Sequence, residues 1–99
     1  MQYGGTVYML SNKYNTVLYI GVTVDLQSRI KEHKEKSYPG SFTAKYNCDK
    51  LVWYKSYGRI EEAIDIEKRM KGGNRKAKEQ LINERNAEWK DLWEEIEDW

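Results

Sequence analysis

A chain of 99 residues, 39% apolar and 13% aromatic, is long enough for one domain with one modest core and too rich in large rings to be a disordered segment. Charged residues at 33% with a single proline exclude mucin-like, collagenous and linker proteins, and a lone cysteine, Cys48, excludes an intramolecular disulfide and a cysteine-rich zinc site. The net charge of +1 is divided unevenly, because Glu88 to Trp99 holds six acids against Lys90 alone, which leaves 16 bases and 10 acids in residues 1–87.

The opening Met1-Gln2-Tyr3-Gly4-Gly5 lacks a basic region followed by an apolar run, so no signal peptide is expected. No apolar run approaches the roughly 18 residues of a membrane span, so no membrane partner is expected, and the single cysteine suits a reducing, cytoplasmic compartment. Thr6-Val7-Tyr8-Met9-Leu10 is β-branched and aromatic and predicts a strand. Polar Ser11 to Asn15 then predicts a turn, and Val17 to Val22 a second strand, so the two form a hairpin with a loop of about five residues. Such pairing brings Tyr8 and Tyr19 near each other, and Gly21 ends the second strand where a side chain would crowd a neighbouring backbone or a ligand. Either tyrosine alone is explained by ordinary strand packing.

Asp25 is a good N-cap for a helix through about Lys36. Leu26 and Ile30, four apart, mark its buried stripe, and Arg29 and His33, also four apart, share a face about 60° from that line. An Arg and a His beside a sheet edge could hold an anion, or could rim a solvated face. Ser37 to Asn47, with Pro39 and Gly40, predicts a loop in which Lys45, with Lys36 just before the loop, alternates with the aromatics Tyr38, Phe42 and Tyr46. Interleaving of this kind suits a nucleic-acid backbone or an unstacked base, and equally suits a loop pinned to the core by Phe42 and Tyr46. Leu51 to Tyr57 is the third strand, with Cys48 as small filler before it.

On a helix over Ile60 to Lys71, with Ile60 set at 0°, Ile64 falls near about 40°, Ala63 near about 300° and Glu67 near about 340°. Glu67 therefore lies within the apolar stripe, where a carboxylate must be paired, hydrogen-bonded or metal-bound. A Glu67–Arg29 salt bridge is the structural alternative. Gly72-Gly73-Asn74 stops this helix and Lys76 to Arg85 predicts another. Residues 87–99 read as a C-terminal amphipathic helix, with Trp89, Leu92, Trp93, Ile96 and Trp99 docking the acidic tail on the core. The basic body suits a phosphate-backbone partner, although on charge alone a solvated surface is the better reading.

Taken in order, Thr6-Val7-Tyr8, Tyr19-Ile20-Gly21, Arg29, His33 and Glu67 resemble the GIY-YIG nuclease superfamily, above all its small stand-alone bacterial members. The resemblance covers residues 6 to about 86; the second tripeptide matches in full and the first keeps only its tyrosine. It implies an α+β fold, a small three-stranded antiparallel sheet flanked by helices in the order β-β-α-β-α-α, and a single domain with its core over about 4–86. It also implies a metal-dependent endonuclease that hydrolyses phosphodiester bonds in DNA, in repair or recombination, with one divalent ion, Mg²⁺ or Mn²⁺, and no small-molecule cofactor.

Carried over by position, Tyr8 would activate or orient the attacking water with Tyr19 in support, Arg29 would stabilise the phosphate charge, and His33 would assist there or in proton transfer. Glu67 would hold the metal and Asn86, with Asn83 as the alternative, would complete the catalytic set. Beside that carry-over, Gly21 at the strand end and the interleaved Lys36, Lys45 and Tyr46 are expected to bind substrate. Relatives often have proline where Ala87 stands and Trp-Ser where Gly73-Asn74 stands. A tyrosine base requires its phenolate to be favoured, which Arg29, His33 and a metal could do. The rival readings are a binding module of the same fold that has lost its chemistry, and a protein-interaction domain using the tryptophan tail. The sequence leaves the oligomeric state open and favours a monomer.

Overall fold

The computed structural model describes residues 4–99; Met1, Gln2 and Tyr3, part of the start that carries no signal-peptide pattern, lie outside the described residues. Three strands, β1 (Gly5–Ser11), β2 (Leu18–Thr23) and β3 (Lys50–Tyr57), form an antiparallel sheet in the order β2-β1-β3. Central β1 is buried along its whole length, because helices cover both faces. Val7 and Met9 face α3 (Ile60–Lys71) and α4 (Arg75–Arg85), packing with Ala63 and Ile82. Tyr8 and Leu10 face α1 (Leu26–Lys34) and the last helical turn, α5 (Trp93–Ile96), packing with Leu26, Ile30 and Ile96. The alternation along one strand thus decides which residues join which half of the core.

The hairpin has the expected pairing, with Tyr8 opposite Gly21 and Leu10 opposite Tyr19. Its loop is held by Asn12, whose side-chain oxygen accepts from the Thr16 and Val17 amides at 2.9 and 3.1 Å. Arg75 at the start of α4 clamps the same loop by donating to the Asn15 and Thr16 carbonyls. Gly21 lies inside β2 and does not end it, since pairing continues to Thr6↔Thr23.

Several helical bounds depart from the sequence reading. α1 ends at Lys34 and not at Lys36, which turns left-handed with φ 52°. The 37–47 segment contains one helical turn, α2 (Phe42–Lys45), capped by Ser41 Oγ accepting from the Ala44 amide at 3.3 Å. Buried Thr43 anchors that turn, while Phe42 and Tyr46, expected to pin it, are exposed. Gly72 closes α3, and Asn74 opens α4 by accepting from the Ala77 amide at 2.8 Å.

The C-terminal helix expected over 87–99 is reduced to α5, four residues long. The reason lies at β3. Its pairing with β1 slips between Met9↔Trp53 and Leu10↔Leu51, so Val52 is bulged and joins Trp53 on the α3/α4 side. The outer edge of β3 is then closed by the segment after α4. Asn86 Nδ2 donates to Val52 O at 3.1 Å, Asp91 accepts from the Leu51 amide at 3.2 Å, and the Leu92 amide donates to Leu51 O at 2.7 Å. To lie against that edge the chain cannot be helical there, and Trp89 takes a left-handed turn with φ 54°. The tryptophan stripe is divided accordingly, Trp89 packing on the α3/α4 side and Leu92, Trp93 and Ile96 on the α1 side. Among the described residues no helix is long and apolar enough to cross a membrane.

Candidate active site

β1, β2 and α1 meet at one end of the sheet, and their side chains form a continuous polar and aromatic cluster there. The hairpin register turns Tyr8 and Tyr19 to the α1 face, where their rings lie 6.3 Å apart. The Tyr8 ring covers Gly21, at which a Cβ would overlap the Tyr8 Cζ and hydroxyl, so a bare backbone at this position is what lets the phenol lie flat. Asp25 caps α1 by accepting from the Ser28 amide at 3.2 Å, which fixes the helix start, and one and two turns on the helix delivers Arg29 and His33.

His33 sits between both tyrosines, its ring 5.7 Å from each. Its Nε2 lies 2.9 Å from the Tyr8 hydroxyl and its Nδ1 lies 2.8 Å from Thr43 Oγ1, which itself lies 3.3 Å from Ser41 Oγ. Tyr8, His33 and Thr43 thus form one hydrogen-bonded chain running from β1 through α1 to α2. Beside it opens a cleft of about 310 Å³ walled by Tyr19, Arg29, Glu32, His33, Lys36, Tyr38 and α2.

The charge balance at the phenol differs from expectation. Burial, followed by Tyr19, pushes the Tyr8 phenol well above its ordinary range; Arg29 pulls it down, and Glu67 and Glu32 push it further up. The protein groups alone therefore disfavour the phenolate: Arg29 acts in the expected direction and is outweighed by burial. His33 is moved downward: burial first and then Arg29 hold it below its ordinary value, so it is a neutral acceptor at neutral pH.

The remaining residues separate into those the cleft gathers and those it does not. Arg29 enters the cleft with 42% of its side chain exposed, and it pairs with Glu32 at 3.7 Å and not with Glu67. Glu67 is nearly buried, its side chain 12% exposed, and it pairs with Lys71 one turn on at 3.0 Å. The helical stripe centres on Ala63, with Ile60, Ile66 and Met70 packed beside it, and Glu67 falls within its span between Ala63 and Ile60, close enough to Tyr8 to act on its charge. Lys36 lines the cleft; Lys45 instead lies 5.5 Å over the Tyr46 ring, and Tyr46 faces a neighbouring cavity.

Asn86 is not part of the cluster. Buried at the end of α4, it commits its side chain to Val52 O, Lys90 O at 2.8 Å and the Lys90 amide at 3.0 Å, holding the tail to β3. Thr43 is the member that the sequence reading passed over. The only signal for it was Ser41 two residues before, a hydroxyl that could cap a short turn and so order this part of the loop.

Among the described residues no three His, Cys, Asp or Glu side chains come together as a ligand set. A cation on Glu67 would rest on one carboxylate and complete its shell with water and phosphate oxygens. That donor set suits Mg²⁺ or Mn²⁺ and does not suit zinc.

The family model described as GIY-YIG catalytic domain matches residues 4–83. The solution NMR structure of the UPF0213 protein BH0048 from Bacillus halodurans aligns with a TM-score of 0.56 at 28% sequence identity, over 90% of this chain and 93% of that one. A search of curated proteins finds no match. With the sheet, the tyrosine pair and the α1 face arranged as described and the family model spanning most of the sequence, the chain belongs to the GIY-YIG family, a family of nucleases.

Proposed function

We propose that the chain is a metal-dependent endonuclease that hydrolyses phosphodiester bonds in DNA at the Arg29/His33 cleft. The observation that carries this reading is the Tyr8–His33–Thr43 chain opening beside a guanidinium. A phosphodiester is an anion that repels nucleophiles, and Arg29 offers a positive charge whose attraction grows as the phosphorane forms. The Tyr8 hydroxyl, held neutral by burial, takes a proton from the attacking water as it passes its own to neutral His33 Nε2. For that transfer His33 carries its other proton on Nδ1 and donates it to Thr43 Oγ1. Glu67 would hold the divalent ion, which when bound supplies further neutralisation at the phosphate.

The test is cleavage of duplex, nicked, branched and single-stranded DNA with Mg²⁺ and then with chelator. Metal-dependent cutting that drops by about 10²- to 10³-fold in Arg29→Ala is expected. Absence of cutting on every substrate, or an Arg29→Ala protein as active as the parent, removes the proposal.

One observation favours a second reading, a binding module without chemistry: Lys71 already neutralises Glu67. Under that reading DNA is bound with steep salt dependence and no metal alters the outcome.

A further inference from the structure

From the wall of the cleft a line of aromatic rings leads out to solvent. Tyr19 is stacked on Phe42, centroids 6.0 Å apart and planes within 28°. Phe42 leans on Tyr46 at 4.6 Å, and Tyr46 shares the next cavity with Tyr14. Phe42, Tyr46 and Tyr14 are 47%, 43% and 71% exposed. Single exposed aromatics are ordinary, but three touching rings that start at the cleft, with a fourth lining the next cavity, are not accounted for by packing.

Cations accompany the rings. The Lys13 and Lys45 ammonium groups lie 5.0 and 5.5 Å over Tyr14 and Tyr46, and Lys71 and Lys78 line the depression on the other side of Tyr19 and Phe42. An apolar protein partner would have to desolvate these ammonium groups without compensation. A base-paired duplex offers them phosphates but leaves the rings unused, because its bases are already stacked on one another. A strand of unpaired nucleotides uses both, setting base faces on the rings and phosphates on the lysines. The α2 turn links this line to the chemistry, since Thr43 faces inward to His33 while its neighbour Phe42 faces outward.

We propose that the Tyr19–Phe42–Tyr46–Tyr14 line stacks unpaired nucleotides, which makes the substrate class nucleic acid with a single-stranded segment adjoining the cleaved bond. The nuclease reading supplies the cleaved bond; the stacking line stands without it. The binding of three labelled probes is measured by fluorescence anisotropy in chelator, where nothing is cut: an oligothymidylate of about 12 nucleotides, a blunt duplex of equal length, and the same single strand with abasic sugars at its central positions. The expected result is tighter binding of the single strand than of the duplex, and a loss of about tenfold or more with the abasic strand, which keeps the backbone charge. Phe42→Ala and Tyr46→Ala each lose about tenfold on the single strand and leave the duplex unchanged, and Phe42→Trp restores single-strand affinity. Equal binding of abasic and intact strands overturns the proposal, as does an equal loss of duplex and single strand in the alanine variants, or no binding of any probe. A protein that stacks single strands yet never cuts with Mg²⁺ refutes the nuclease reading and leaves this one standing. Cutting that is indifferent to Phe42→Ala, with no preference for unpaired bases, does the reverse.

Discussion

The Tyr8 hydroxyl and His33 Nε2, 2.9 Å apart, join the central strand to the first helix through a single hydrogen bond between two groups that burial keeps uncharged. The proton rests on the phenol, and the imidazole is placed to receive it.

The pH dependence is set by the direction of the two shifts. His33 titrates below its ordinary 6.5 in the folded chain, so the unfolded chain binds the proton first. Its contribution to stability is present above about pH 6.5 and is lost as the pH falls toward the folded value. Tyr8 titrates above its ordinary 10.0, so its contribution is present below about pH 10 and is lost at more alkaline pH. His33 is the only histidine, so one NMR titration reports it without ambiguity. A midpoint at or above 6.5 contradicts the neutral-acceptor role, and urea unfolding of His33→Asn should show a flatter acid limb than the parent.

In the proposed proton transfer His33 Nδ1–H donates to Thr43 Oγ1, 2.8 Å away, and this contact would fix the tautomer. Thr43→Val keeps the shape but leaves the buried Nδ1 without a partner, at a cost of about 1–3 kcal/mol in folding stability. Thr43→Ser should restore it. The ring nitrogen chemical shifts of His33 distinguish the two: the parent and the serine variant carry the proton on Nδ1, and the valine variant does not. An unchanged tautomer in Thr43→Val would show that Thr43 is only filler.

Gly21→Ala forces a methyl group into the space of the Tyr8 ring. Thermal or urea unfolding should show a loss of about 1–3 kcal/mol. The loss should shrink on a Tyr8→Ala background, where the ring is gone; equal losses in both backgrounds would place the strain elsewhere.

What was legible in the sequence was what local periodicity dictates. The alternation of Val7, Tyr8, Met9 and Leu10, the Leu26/Ile30 stripe and the Arg29/His33 pair are fixed by period 2 or 3.6, and the structure places them as those periods require. The residues that were misplaced answer to partners outside any local pattern. The tail gives up its helix because an open strand edge requires partners, whereas the Glu67–Lys71 pair, four residues apart on one helix, was open to reading by period and was passed over for a long-range pair with Arg29. Helical spacing in Trp89, Leu92, Trp93 and Ile96 was real, but the residues divide between two faces of the sheet and a straight helix cannot serve both. Thr43 escaped notice because a loop hydroxyl has no periodic signature.

Asn86 separates inherited position from actual work. Its three hydrogen bonds all go to the backbone of β3 and the tail, so Asn86→Ala should lower stability by about 1–3 kcal/mol and leave turnover per folded molecule unaltered. Parallel melting and single-turnover measurements check this. A drop in turnover at full folding would return Asn86 to the catalytic set.

Releasing Glu67 from Lys71 should change its response to metal. Lys71→Ala removes the cation that shares the carboxylate, so the Mg²⁺ concentration needed for half-maximal cutting falls, while Glu67→Gln abolishes the metal response. A higher Mg²⁺ requirement in Lys71→Ala would mean that the lysine binds substrate and not its neighbour.

The closure of β3 by Asn86, Asp91 and Leu92 bears on how the molecule is made. Its strand edge is satisfied by residues 34 and 40 positions further along the chain, so during synthesis the sheet keeps exposed amide and carbonyl groups long after all three strands exist. The sheet is therefore complete only once residue 92 has left the ribosome, and a nascent chain stalled before residue 86 presents an edge open to pairing with other chains.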